Sequence, residues 1–144
     1  MTLLYLPFIL QGASMVVDEF YFHEKRGLPL WEKLGHPLDT LTVFFCYAYL
    51  LWGSGDPLVY IGICSFSCLF ITKDEFVHTE KCSGSEHWLH AMLFVLHPLS
   101  FLSAYYLFQA QELSFLKIQT GVIFSFMLYQ ALRWSIPWQR LQTR

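Results

Sequence analysis

Residues 18–36, DEFYFHEKRGLPLWEKLGH, and residues 74–90, DEFVHTEKCSGSEHWLH, write one pattern twice in a chain of 144 residues. Each copy opens on Asp-Glu-Phe, reaches a His, passes a Glu-Lys pair, and closes on a Glu and a His four residues apart. The Asp-Glu-Phe triplets are offset by 56 residues, and the closing pairs Glu32/His36 and Glu86/His90 by 54. An internal repeat of this kind constrains the architecture before any single residue does. Each copy places one polar pair at the end of an apolar segment and a second pair at the start of the next.

The rest of the chain is mostly apolar. It is 55% hydrophobic, 19% aromatic and 14% charged, against about 25% charged residues in ordinary globular domains. This composition points to an integral membrane protein, and the length suffices for one domain. A net charge of -2 and scattered Lys and Arg exclude a basic nucleic-acid footprint. Cys46, Cys64, Cys68 and Cys82 show no Cys-x-x-Cys spacing and three lie in apolar runs. Neither a disulfide framework nor a zinc knot is indicated.

Residues 1–17 begin without a positively charged stretch, so a retained span is the stronger reading than a signal peptide. With residues 18–23 they make one helix of roughly 20 residues, enough to cross most of a hydrocarbon core, and Gly27 and Pro29 end it. The second apolar run is 38–52, and Pro37 leaves its beginning open. Either Pro37 takes the first helical position with His36 as N-cap, or the helix starts near Leu30 and is kinked at Pro37. After the tight turn at 53–57, a third run, 58–72, continues toward His78. The fourth, 85–108, has Ser85 as its expected N-cap and Glu86 in its first turn; a fifth covers 115–134. The expectation is an all-α, single transmembrane domain over 1–144, with repeat 1 at about 1–53, repeat 2 at about 57–108 and a fifth helix at about 113–135. The first four of its five transmembrane helices would form a four-helix bundle from two tandem helix pairs, and the fifth would pack outside.

Five alternating spans place Lys25, Arg26, Lys33, Lys73, Lys81, Arg133, Arg140 and Arg144 on one side and leave Lys117 alone on the other. By the positive-inside rule the N-terminus lies outside and the C-terminus and both copies of the pattern lie on the cytoplasmic side. Trp31, Trp52, Trp88, Trp134 and Trp138 fall near helix ends, where interfacial aromatics gather.

Residues three, four or seven apart share a helix face. Glu19 and His23 are four apart, Glu75 and His78 three apart, and Glu86, His90 and His97 fall on one strip. Glu32, His36 and Asp39 join them if the second helix starts early. An ionisable group at hydrocarbon depth costs about 2.5–3.5 kcal/mol even on insertion scales, so such groups face the bundle interior and pair. Taken singly, each is more simply a solvated interfacial side chain; as a repeated set they read as a metal site. The expected ligands are Glu19, His23, Glu32, His36, Glu75, His78, Glu86 and His90. Two divalent transition-metal ions, iron favoured over zinc, would neutralise the carboxylates. Asp18 and Asp74, one position from the Glu, point about 100° away on an α-helix and suit outer hydrogen bonding to a His. Asp39, His87 and His97 complete the outer or additional set.

At the motif level these pairs resemble the ferritin-like di-iron carboxylate bundles, in which two helices give a Glu and two give Glu-x-x-His. Only Glu75 and His78 keep that spacing, the other pairs are four apart, and four His exceed two. The eight-His pattern of membrane hydroxylases and desaturases is not matched, since six His are present without an HxxHH cluster. The function expected is a membrane-embedded dinuclear metalloprotein, a di-iron oxidase or hydroxylase of a lipophilic substrate drawn from membrane lipids. A zinc-dependent lipid hydrolase, a metal-ion transporter or sensor, and a non-catalytic membrane subunit are the alternatives.

Overall fold

A computed structural model describes residues 2–75 and 82–135, and every element among them is helical. Helix α1 (Leu6–Val17) follows a 3₁₀ turn, Thr2–Tyr5, and runs without a break into a π-helical segment, Asp18–His23, and a last α-helical stretch, Glu24–Arg26. Gly27 then leaves the helix at φ 71° and ψ 155°, a conformation nearly closed to residues with a Cβ. Helix α2 (Leu30–Trp52) takes Pro29 as its N-cap and keeps Pro37 inside. The earlier of the two possible starts is the one adopted, which puts Glu32 in the first turn and His36 one turn later.

Helix α3 (Pro57–Phe70) is capped by Asp56, whose carboxylate accepts from the backbone N–H groups of Leu58 at 2.8 Å and Val59 at 3.3 Å. A 3₁₀ turn, Ile71–Asp74, prolongs it. Helix α4 (Gly84–Gln109) starts on Ser83 and not on Ser85 as expected: the Ser83 hydroxyl accepts from the Glu86 N–H at 3.3 Å. The physical reason is the Ser-x-x-Glu spacing, which brings Glu to the third helical position and frees Ser85 for the first turn. Gln111, at φ 61°, reverses the chain into helix α5 (Leu113–Ser135).

Three helices are long and apolar enough to cross a membrane: Thr2–His23, Gly84–Gln109 and Leu113–Trp134. Pro57–Lys73 is apolar but shorter, and α2, with 23 residues, is more polar in its first half. The outer surface is apolar almost throughout, with Leu3, Leu58, Leu69, Trp52 and Ile118 among the most exposed side chains. Such a surface far exceeds the patches that soluble monomers leave in water.

Where outside and inside are equally apolar, hydrophobic burial does not choose which helix faces meet; close packing and interhelical hydrogen bonds do, at about 0.6 kcal/mol per bond on average. The most extensive pairing is α2 with α5, followed by α1 with α4 and α2 with α3. One end of the interior is apolar, built on Phe8, Tyr47, Phe101, Leu107 and Leu116, and Tyr60 donates there from α3 to the Phe101 carbonyl of α4 at 2.9 Å. The expectation that the fifth helix packs outside is not met, because α5 is the chief partner of α2 and sends polar side chains to the opposite end of the interior.

Replacing Asp56 with Ala removes both cap hydrogen bonds from α3 and should cost about 1 kcal/mol. The midpoint of thermal unfolding in detergent would fall accordingly, and an unchanged midpoint would show that the cap is dispensable.

Candidate metal centre

The π-helical segment brings the first group of polar side chains indoors. Asp18, Glu19 and His23 are 6%, 1% and 0% exposed. A π-helix closes its turn between residues i and i+5, so Asp18 and His23, five apart, face the same way. His23 Nε2 lies 3.3 Å from Asp18 Oδ2, and on the other side of the carboxylate His90 Nε2 lies 3.1 Å from Oδ1. An α-helical register, as expected from the sequence, would have turned Asp18 away.

Ser83 fixes Glu86 at the third position of α4, and His90 follows one turn later; both are buried. Across the interior, Glu32 is fully buried, and the ring of His36 lies 4.5 Å from that of His23 between centroids. Two sets of ligand atoms result, each with all members within 4.8 Å of one another: Asp18, His23, Glu86 and His90, and His23, Glu32 and His36. His23 belongs to both. Its two ring nitrogens point at carboxylates, Nε2 at Asp18 and Nδ1 at Glu19 3.7 Å away, yet among the described residues neither makes a well-directed hydrogen bond. The buried Asp18/His23/Glu86/His90 cluster could hold a metal ion, and its nitrogen and carboxylate donors suit divalent first-row metals as a class.

Glu19 stands behind this ring. Gln130 donates to its Oε2 at 3.0 Å and Trp134 Nε1 to its Oε1 at 2.6 Å, both from α5, while Thr40 of α2 donates to Gln130 Oε1 at 2.7 Å. A carboxylate on one nitrogen of a histidine fixes the ring and its tautomer when the other nitrogen binds a metal. Glu19 faces Nδ1 of His23 from 3.7 Å, an ion-pair distance outside hydrogen-bond reach, and Gln130 and Trp134 hold it there.

Other expected residues fall outside both ligand groups. Glu75 lines a small cavity beside Asp18, His36 and His90. Asp39 accepts from Lys73 at 2.6 Å, and His87 is half-buried. His97 uses both ring nitrogens elsewhere: Gln11 Nε2 lies 3.0 Å from Nδ1, and Ser67 Oγ lies 3.0 Å from Nε2. Ser67 in turn meets the Thr42 hydroxyl at 2.8 Å, and Thr42 donates to the Asp39 carbonyl at 2.8 Å. The chain has one consistent direction. Gln11 donates to His97 Nδ1, His97 Nε2–H to Ser67, Ser67 to Thr42 and Thr42 to Asp39, a network that assigns the neutral Nε2–H tautomer. His97 is thereby a bolt across α1, α3 and α4. The Asp74 side chain and all of His78 lie outside the described residues.

Sequence spacing did not single out Gln11, Gln130 or Trp134. The signal available was Gln130 and Trp134 one turn apart near the end of an otherwise apolar helix, a polar stripe that must face inward. No family profile, curated protein or solved structure matches the chain.

Trp134→Phe keeps the aromatic bulk but removes the donor to Glu19, and Gln130→Leu removes the other. Losing a carboxylate that orients a ligand typically lowers metal affinity about 10–100-fold, and loosening Glu19 should act in the same direction with a smaller effect. Titration of the detergent-solubilised variants with Co2+, followed by visible absorption, should show that weakening; wild-type affinity in both would remove Glu19 from the orienting role.

Proposed function

We propose that this chain is a membrane-embedded metalloprotein with a dinuclear carboxylate–histidine centre, and that it is a di-iron oxidase or hydroxylase of a lipophilic substrate. The observation that carries the reading is the pair of overlapping ligand groups joined at His23. One nitrogen of His23 serves one ion. Asp18, His23, Glu86 and His90 would hold one ion, and Glu32 and His36, with Glu75 lining the cavity nearby, would hold a second.

Iron is favoured over zinc on the donor set: imidazoles with carboxylates suit non-haem iron, and the four side chains of the first group would close a tetrahedral zinc. When bound, iron supplies O2 activation; the overall change, RH + O2 + 2e⁻ + 2H⁺ to ROH + H2O, draws its electrons from an external donor. The chain's own residues hold the ions, keep water away with the apolar interior beneath, and fix His23 through Glu19.

In this reading all five helices cross the bilayer, α1/α2 and α3/α4 are the two copies of the sequence repeat, and α5 completes the bundle on the α2 side. The Lys and Arg distribution supports a cytoplasmic-side site with the N-terminus outside.

Protein purified from iron-supplied cells should contain about two irons per chain, measured by elemental analysis, and His90→Ala should lose at least one of them. Zinc in place of iron would favour the hydrolase, and a chain without stoichiometric metal would overturn the proposal. Because a bound ion stabilises the folded state by about 4 kcal/mol when present at a thousandfold its Kd, stripping with a chelator should lower the thermal midpoint in detergent. In His90→Ala, which also removes an imidazole partner of buried Asp18, stripping should lower the midpoint by less than in the wild type.

A further inference from the structure

Two small cavities lie in line between the ligand groups and the outer surface. The first, about 100 Å³, is bounded at one end by Asp18, His36, Glu75 and His90. The second, about 110 Å³, lies between α1 and α5 against α2, and reaches the outside at Gly12, Val16 and Val122. Gln11, Met15, Thr40, Val43 and Phe126 line both, so the two spaces adjoin across a wall of side chains.

The gap between α1 and α5 is framed. At one end Phe115 of α5 meets Tyr5 and Phe8, with ring centroids 4.7 and 5.1 Å apart. At the other, Tyr129 meets Phe20 at 5.4 Å. Between these aromatic contacts stands Gly12, exposed, where an added Cβ would meet no atom within 4 Å. Val16 and Val122, 49% and 57% exposed, flank it. A larger apolar space of about 670 Å³ between α3 and α4 has no carboxylate or imidazole in its lining among the described residues.

We propose that the gap between α1 and α5 is a lateral window through which the end of a straight hydrocarbon chain passes from the bilayer to the candidate metal centre. This rests on the metalloprotein reading for what the chain meets, and on the cavities alone for how it gets there. The window opens on the apolar surface that faces lipid, its walls include Phe8, Val16, Tyr47, Val122 and Phe126 with the neutral Gln11, Thr40 and Gln119, and carboxylates and imidazoles line only the inner cavity. Its width sets the substrate class. Each space is smaller than the roughly 150 Å³ engineered cavity that accommodates benzene, so an acyl-chain end fits and a fused-ring sterol does not.

The test uses the full chain in proteoliposomes with palmitate bearing a diazirine at its terminal carbon, followed by light and peptide mass spectrometry. Labelling of Met15, Val43 or Phe126 is expected, with most of it lost in Gly12→Trp and in Val122→Trp, while iron content matches wild type in both. A Cβ at Gly12 meets no atom within 4 Å, so a side chain can leave the helix there without displacing it. Labelling confined to outer residues such as Leu58 and Ile118, or inner labelling that survives both Trp variants, overturns the window. Inner labelling by a photoreactive sterol overturns the straight-chain class. Inner labelling that responds to the Trp variants in a protein without bound metal upholds the window and sinks the metal reading instead.

Discussion

Asp18, Glu19, Glu32 and Glu86 are buried together beneath an apolar surface, and among the described residues no Lys or Arg is buried beside them. A carboxylate removed from water loses several kcal/mol of solvation that only close, well-placed partners recover. Around Asp18 the partners are the imidazoles of His23 and His90; around Glu19 they are His23, an amide and an indole. Imidazole can answer a carboxylate by carrying a proton or by sharing a cation with it. The wide use of His in this interior follows from that flexibility.

The same constraint explains how the helices find one another. With apolar side chains on every face, α1 to α5 could associate in several arrangements of similar packing energy. The polar layers distinguish among them. Gln130 has its acceptor on Thr40 of α2 and its target on Glu19 of α1, so α5 can occupy only the groove between those two helices. His97 does the same for α4, taking Gln11 from α1 and Ser67 from α3. Each bond is weak by itself, yet a wrong neighbour would leave several buried polar groups without a partner, at about 1–3 kcal/mol each.

Much of this was legible in the sequence, and the rest was hidden for definite reasons. Five helical segments follow from the apolar runs and the Gly and Pro breaks, and Glu32, His36, Glu86 and His90 follow from spacing on regular helices. On a regular α-helix Asp18 turns away from His23, and the π-helical segment, which no residue spacing announces, brings the two together. Pro37 could not be resolved from propensity, since proline is compatible with either the first turn or a kinked interior; the burial of Glu32 favours the longer helix. The polar residues of α5 form no pattern with the rest of the chain, because Glu19, which Gln130 and Trp134 both reach, lies more than a hundred residues away in sequence.

The π-helical turn also bears on the two written copies of the pattern. From Asp18 to His23 is five residues, whereas from Asp74 to His78 is four. A π-helix closes its hydrogen-bonded turn over five residues where an α-helix closes it over four. Counted in residues the first copy is one longer; counted in turns it is the same length. The extra aromatic residue between Asp18 and His23 is thus absorbed by a widened coil, and the acid and the imidazole keep the stacking that the shorter spelling would give on an ordinary helix.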